Sequence, residues 1–355
     1  MKNKKTPKYQ EIYNILKNDI VTEKYKHGDV FPSERVLKEI FNVNHLTIRK
    51  SLSRLEEENF LLRKSGVGTT VIYSKNSYTF TVKNKITNIY FITEEIDDFT
   101  SEILNKLEVE CRKRDIIVSF CCHHRDKNIE HQVYDKAVSH KNSIIILTPT
   151  TSLLKWINFS IGLDRTIIFD GYIEGLNCPQ ILSDDISGSY NAVKYLAAMG
   201  HKKIAHISSD FKITGENRKK GYLKAIKDFN LVNDPTLIEN GAYLIEGSYF
   251  ALEKINKKHP DCKAFFCAND YSAYGAIELL REKNLYPGKD YSIIGYGDYK
   301  VSEVLDLTSV NQQVDKICRQ INILLDEYHS KGFLSKSIYN IPTELRIRKS
   351  CIIFE

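Results

Sequence analysis

Residues 31–71 read FPSERVLKEIFNVNHLTIRKSLSRLEEENFLLRKSGVGTTV, and this stretch decides how the chain begins to fold. Pro32-Ser33-Glu34 starts a helix, with the Ser33 hydroxyl placed to accept a hydrogen bond from a free N–H of its first turn. Val36, Leu37, Ile40 and Phe41 recur at helical spacing and are read as its inward face. Asn42-Val43-Asn44 makes a short turn, and another helix begins near His45. Ile48, Leu52, Leu55 and Phe60 carry the buried stripe of that helix, so His45, Thr47, Arg49 and Lys50 face outward near its start. Leu61–Lys64 and Thr69–Ile72 read as two short strands around Ser65-Gly66-Val67-Gly68, a hairpin whose glycines let the backbone approach a partner closely. Upstream, Tyr9, Ile12, Tyr13, Leu16 and Ile20 follow Pro7 at the spacing of one more amphipathic helix.

Charge separates this region from the rest. Residues 1–75 hold 15 Lys and Arg against 9 Asp and Glu, and the other 280 residues hold 36 of each sign. All of the net charge of +6 therefore lies at one end. A localised basic excess is what phosphate neutralisation requires, although a basic solvated face would give the same count. The exposed start of the third helix decides between them. Arg reads guanine edges or phosphates, Asn reads adenine, and the Thr hydroxyl takes phosphate, so this helix suits the major groove of DNA. The plain alternative is a small helical bundle with a hairpin and no ligand.

Over residues 8–73 these features resemble the GntR-type winged helix-turn-helix. Pro32-Ser33-Glu34, Thr47-x-Arg49, the Leu52…Leu55 spacing and Gly66-x-Gly68-Thr69 fall in the family's order. The resemblance implies that Arg35, Thr47 and Arg49 contact operator DNA and that Gly66 enters the minor groove. Asn44, His45 and Lys50 join them as candidates at the start of the recognition helix. Here the chain departs from the family, which has Ser or Thr followed by Arg where this sequence has Asn44-His45. A shorter, mostly neutral His45 changes the base preference, so an operator cannot be copied from relatives.

Composition excludes several classes. Hydrophobic residues make up 42% and charged residues 27%, ordinary for a water-soluble globular chain. At 355 residues the chain needs two domains, or a domain with two lobes. The basic N-terminus lacks the apolar run of a secretory signal, and no stretch approaches a membrane span, so a cytoplasmic protein with no membrane partner is expected. Eight cysteines include no CxxC pair. Cys121-Cys122-His123-His124 is read as thiols buried at a strand end, because neighbours on a strand point to opposite faces and converge poorly on a metal. No GxGxxG follows a strand, and no P-loop, GxSxG or HExxH occurs, so no catalytic residue, cofactor or metal is assigned.

Ser74–Asn88 is polar and reads as a linker; beyond it short apolar runs alternate with helical periodicity. Strands are expected at 89–92, 116–120, 144–147, 166–169, 181–183, 203–208, 263–267 and 292–295. Helices are expected at 102–114, 127–140, 187–199, 217–229, 247–258 and 271–284. Such alternation builds parallel sheets covered on both faces, with ligands beyond the carboxyl ends of the strands. Asp170, Asp184-Asp185 and Asn269-Asp270 fall at such ends. Carboxylates and amides there suit a ligand rich in hydroxyls, but each of these residues alone is more often a helix cap than a ligand contact, Asp270 above all.

Several stretches of residues 86–352 resemble the LacI/GalR-type effector domain, itself similar to periplasmic sugar-binding proteins. They are Asp184-Asp185-x-x-Gly188, Leu196-x-x-x-Gly200-His201-x-x-Ile204, Arg218-x-x-Gly221-Tyr222 and Phe266–Asp270. Ile294-Gly295-Tyr296, Leu307–Val310 and Pro342-Thr343-Glu344-Leu345-x-x-Arg348 complete the series. The resemblance implies that Arg218 is the leading sugar-hydroxyl ligand, with Asp170 and Asn269 beside it and Gln312 at the cleft wall. It also implies that Asp184 and Gly200-His201 are structural. The family motif Tyr/Phe-Asp-Asp, whose first Asp contacts the effector, is here Tyr296-Gly297-Asp298. Either Asp298 shifts in or the ligand differs from the usual pyranose.

The fold expected is α/β: a winged helix-turn-helix (1–74), a linker (75–87), and a two-lobed periplasmic-binding-protein-like effector domain (88–355). A GntR-type head on a LacI-type body is the arrangement of arabinose repressors. The function expected is that of a sequence-specific repressor controlled by arabinose or a related monosaccharide bound between the lobes. Its partners are double-stranded operator DNA and a second copy of the chain, since one head reads too few base pairs. A nucleobase or other non-sugar effector, or a carbohydrate-binding protein without regulatory role, is the alternative.

Overall fold

The computed structural model describes residues 8–21, 24–57, 60–64, 68–73, 86–150, 162–176, 178–210 and 212–354. It falls into two compact units divided between residues 83 and 84. In the first, α1 (Lys8–Val21), α2 (Glu34–Phe41) and α3 (His45–Glu57) enclose Ile12, Tyr13, Leu16, Ile20, Leu37, Ile48, Leu52 and Leu55. Strands β1 (Val30–Phe31), β2 (Leu61–Lys64) and β3 (Gly68–Val71) form an antiparallel sheet in the order β1-β3-β2. Ser33 caps α2 by accepting from the Val36 N–H at 3.4 Å, and Asn42 ends it in the left-handed conformation at φ 48°. The inward face of α2 is narrower than its spacing implied. Leu37 is buried and Phe41 packs on the core, but Val36 and Ile40 are exposed. An eight-residue helix lying on one neighbour, α3, offers a single i, i+4 stripe to it, and Leu37 and Phe41 fill that stripe.

The second unit has two lobes. The first is built from β4 (Asn88–Thr93), α4 (Asp98–Arg112), β5 (Ile117–Cys122), α5 (Lys127–Ser139), β6 (Ser143–Leu147), β7 (Thr166–Phe169) and β8 (Gln180–Ser183). The chain then crosses into α6 (Asp185–Ala198), β9 (Ala205–Ser208), α7 (Ile213–Asp228), β10 (Ile238–Asn240), α8 (Ile245–Lys258), β11 (Ala264–Cys267), α9 (Asp270–Arg281), β12 (Ser292–Gly297), α10 (Lys300–Val304) and β13 (Thr308–Asn311). It returns through α11 (Val314–Lys331) and β14 (Ile338–Ile341) to the first lobe, and ends with β15 (Glu344–Arg346) in the second. Among the described residues each lobe holds a six-stranded sheet, ordered β14-β8-β7-β6-β4-β5 and β10-β9-β11-β12-β13-β15. All neighbours are parallel except β13 and β15.

β6 explains why such strands read as continuous apolar runs. Ile144 and Ile146 enter the core beneath α4 and α11, whereas Ile145 and Leu147 enter the opposite core with Tyr134 of α5. A strand covered on both faces cannot alternate apolar with polar. The alternation read from the sequence stops at Gly295, but the structure continues through α10, β13, α11, β14 and β15, and adds β10 before it. Ile86 and Thr87 belong to the body, not to a linker: Ile86 is buried in the first lobe, and the Thr87 N–H donates to Asn142 O at 2.9 Å. Residues 75–85 of the expected linker lie outside the described residues. Cys121 and Cys122 end β5 only half-buried, correcting the expectation of buried thiols. His123 is buried, with Nε2 against Thr148 O at 3.2 Å and Nδ1 accepting from the Arg125 N–H.

Helices α6 and α7 pack closely because Gly221 has no side chain: a Cβ there would lie 2.3 Å from Ile186 O and 3.1 Å from its carbonyl carbon. Backbone cannot give way as a flexible side chain does. Gly221→Ala is expected to destabilise the body by about 1–3 kcal/mol, read as a lowered urea midpoint. An unchanged midpoint would mean that α6 and α7 are not so closely apposed.

Candidate functional site

The first unit presents a charged face at the start of α3. Asn44 Oδ1 accepts from the Thr47 N–H at 2.9 Å and from Thr47 Oγ1 at 2.8 Å, so these two candidates are paired with each other at the helix start. Arg35, Asn44, His45, Arg49 and Lys50 are exposed, while Thr47 is half-buried. Lys50 Nζ leans over the Tyr9 ring, 4.2 Å from its centroid. Glu34, which the sequence reading took only as a helix start, gathers nitrogen donors: His45 Nε2 lies 2.7 Å, Arg63 Nη1 3.0 Å and Arg49 Nε 3.8 Å from its carboxylate. One acid thus ties the recognition helix to strand β2. Leu46, also passed over, is 74% exposed among these charges. Gly66 lies outside the described residues, between the paired ends Lys64 and Gly68.

The second unit holds a cavity of about 440 Å³ between its lobes, beyond the carboxyl ends of the strands. Asp170 follows β7, Asn269 follows β11, Arg218 lies on α7, and Gln312 lies where the chain crosses from β13 to α11; all four line it. Arg218 is 4% exposed, and its guanidinium is fixed from behind. Its Nε meets Asp185 Oδ1 at 2.9 Å, its Nη1 donates to Ala268 O at 2.6 Å, and the Tyr296 ring lies 3.8 Å beneath it. Among the described residues Nη2 makes no hydrogen bond and remains as the open end of the fork. Gln312 donates to Ser183 Oγ at 3.1 Å, while its Oε1 is buried without a partner among the described residues. Such an acceptor costs free energy unless something in the cavity donates to it. Asn269 both caps α9, accepting from the Ser272 N–H at 2.7 Å, and faces the cavity.

Burial pushes Asp170 up to about 6, a shift that the nearby Lys212 ammonium opposes. Lys212 Nζ reaches across the cleft, 3.3 Å from Glu94 and 3.9 Å from Asp170. Glu94 is itself bonded to Arg125. The walls carry Glu94, Glu95, Asp97, Asp170 and Glu246 against Arg125, Lys212 and Arg218, a surplus of negative charge. Phe99, Tyr243, Tyr271 and Tyr299 add aromatic surface, and Tyr271 donates across the cleft to Asp98 Oδ2 at 2.9 Å.

Asp270 and Asp298 do not line the cavity. Asp270 is fully buried, accepting from Ser309 Oγ at 2.6 Å and from the Tyr299 N–H at 2.7 Å. Asp298 pairs with Arg348 at 2.7 Å and accepts from Ser302 Oγ and Asn311 Nδ2. Their hydrogen-bonding capacity is spent inside the second lobe. Glu94, Lys212 and Tyr299 were missed, although each follows a strand's carboxyl end, the signal that found Asp170.

Residues 8–71 match the model of bacterial regulatory proteins of the gntR family, and residues 193–351 match that of the periplasmic binding protein-like domain. The HTH-type transcriptional repressor PurR of Haemophilus influenzae is 30% identical over 271 residues, 73% of this chain and 79% of that protein. The arabinose metabolism transcriptional repressor of Geobacillus stearothermophilus is 25% identical over 319 residues, 84% of each chain. Among solved structures, the regulator CelR in complex with cellobiose superposes with a TM-score of 0.65 at 20% identity, covering 87% of this chain and 91% of that one. A LacI family regulator from Mycobacterium smegmatis gives 0.64 at 17% identity, over 75% and 99%. No helix among the described residues is long and apolar enough to cross a membrane. With relatives that are repressors and not enzymes, the chain belongs to the HTH-type transcriptional repressors, carrying a GntR-type winged helix ahead of its periplasmic-binding-protein-like body.

Proposed function

We propose that this chain is a cytoplasmic, homodimeric repressor whose operator affinity is set by a small, uncharged polyhydroxy compound, arabinose or a related monosaccharide, held between the lobes. The observation that carries the reading is Gln312 Oε1, a buried acceptor without a partner among the described residues, on the wall of a cavity sized for a small ligand. Asp170, Arg218 Nη2 and Asn269 supply further donors and acceptors from both lobes, as a ring of hydroxyls requires. The surplus of carboxylates disfavours a phosphorylated sugar. The arabinose metabolism repressor matches 84% of this chain, more than the body alone could supply, so it shares the head-and-body arrangement, and its name supports the choice of sugar. Arg35, Asn44, His45, Thr47, Arg49, Lys50 and Gly66 are the DNA-contacting set in this reading. Ligand binding favours a closed body and changes how paired heads span two half-sites, a coupling of about 1–3 kcal/mol.

Calorimetric titration with L-arabinose, D-ribose, D-galactose, their phosphates and adenine tests the class. A free sugar is expected to bind, and its phosphate to bind at least tenfold more weakly. Affinity is also expected to fall as the pH drops below about 6, where Asp170 takes a proton and loses acceptor capacity. Lys212, Asp185, Arg218 and Asp97 are the charges acting on it. Exclusive binding of adenine would favour the second reading, a nucleobase effector. The aromatic side chains Tyr243, Tyr271 and Tyr299 and the PurR relative speak for that reading.

A further inference from the structure

We propose that Tyr299 is a stacking platform that sets effector specificity, and that Gly297, whose φ of +119° already disfavours a side chain, leaves the space beside it to the Tyr299 ring. The inference rests on the reading of the interlobe cavity as the effector site, and deepens it. Gly297 ends β12 at φ +119°, and a Cβ built on it would lie 2.4, 2.5 and 2.8 Å from Cε1, Cζ and Cδ1 of Tyr299. Real Cβ atoms do not approach a ring so closely, so no side chain at 297 can coexist with Tyr299 in this position. Tyr299, which lines the cavity, fills the space next to Gly297, so the wall there is aromatic and not carboxylate.

The ring is held for that purpose from both sides of its own backbone. The Tyr299 N–H donates to buried Asp270, and the preceding Asp298 is pinned by Arg348, Ser302 and Asn311. The two aspartates that do not reach the cavity are thus positioning residues for the loop that delivers Tyr299 to it. The ring packs on the core of the first lobe and on Tyr271, with centroids 5.8 Å apart, although it comes from the second lobe. Tyr299 is half-buried and lines the cavity, and among the described residues its hydroxyl has no hydrogen-bond partner, so part of the ring and its hydroxyl front the space a ligand would fill. The chemistry that fits is a ring with one unsubstituted face: the C–H face of a sugar or the π face of a base, either of which stacks on an aromatic side chain. A flexible open-chain polyol offers no such face and gains nothing here.

The test titrates the full-length protein with L-arabinose, D-galactose and adenine, and with the open-chain arabinitol. Tyr299→Leu keeps an apolar side chain against the first lobe and removes the ring. It is expected to weaken whichever ring ligand binds by roughly 10- to 100-fold and to narrow its preference over arabinitol. Tyr299→Phe is expected to lose no more than severalfold, since stacking survives. Gly297→Ala forces a Cβ against the ring and is expected to weaken ring-ligand binding at least as much as Tyr299→Leu. Wild-type binding of a ring ligand that survives Tyr299→Leu within twofold, in a protein with an unshifted melting temperature, overturns the stacking role alone. Wild-type protein that binds none of the ring ligands overturns the cavity reading with it.

Discussion

Arg218→Ala is expected to weaken effector binding by two orders of magnitude or more while leaving operator binding in place. Nε and Nη1 are anchored to Asp185 and Ala268 O, so the guanidinium presents its remaining donors to the cavity at a fixed angle. Hydrogen bonds from a charged donor are worth about 1.5–3 kcal/mol each, and the fork makes more than one. The same substitution strands Asp185, whose side chain is 1% exposed, and breaking a buried pair costs about 3–5 kcal/mol. A lowered melting temperature is therefore expected as well. Arg218→Leu combined with Asp185→Asn removes both charges and is expected to recover much of the stability but none of the affinity. If calorimetry on that stable double variant gave the wild-type sugar affinity, Arg218 would be a structural residue only.

Arg49→Ala is expected to abolish selective operator binding with the sugar response of the body intact. Arg49 stands exposed one turn into α3, held loosely by Glu34 at 3.8 Å, a distance from which it can swing to DNA at little cost. A base-reading arginine contributes about 1–3 kcal/mol per head and a phosphate-reading one mainly steepens the salt dependence. Two heads on one operator double either loss. Mobility shifts at several salt concentrations separate the two roles: relaxed sequence preference marks base reading, and a slope shallower by about one per contact marks phosphate. Unchanged affinity and preference would remove α3 from the DNA interface. Glu34→Gln releases His45 and Arg49, while Glu56 still holds Arg63 at 3.2 Å, and offers a companion variant in which non-specific binding rises.

The two regions differed in how openly the sequence displayed them. In the head, Ile12, Leu16, Leu37, Ile48, Leu52 and Leu55 repeat at helical spacing, and all six are buried in one core. That core lies within sixty consecutive residues, 12 to 71, so local periodicity was almost the whole story. Val36 and Ile40 show its limit: the residues of a short helix can all be apolar, yet only the stripe that meets a neighbour is covered. In the body, α11 carries Val314, Ile317, Ile321, Leu324 and Tyr328 at the same spacing but went unread, because the strand–helix rhythm fades after β12.

By itself, then, the amino-acid sequence determined the classes of element, the separation of a basic head from a neutral body, and the polar groups that sit at strand ends. Local spacing and charge counting are enough for those, since they depend on neighbours along the chain. Only the tertiary structure decided which of those polar groups front the cavity. Arg218 is positioned by an aspartate 33 residues away and a carbonyl 50 residues away, Asp298 is consumed by Arg348, and the room left at Gly297 is filled by Tyr299. A side chain bonded inside the lobe and one left open to a ligand look alike in one dimension; they differ only in the partners that folding brings from distant parts of the chain.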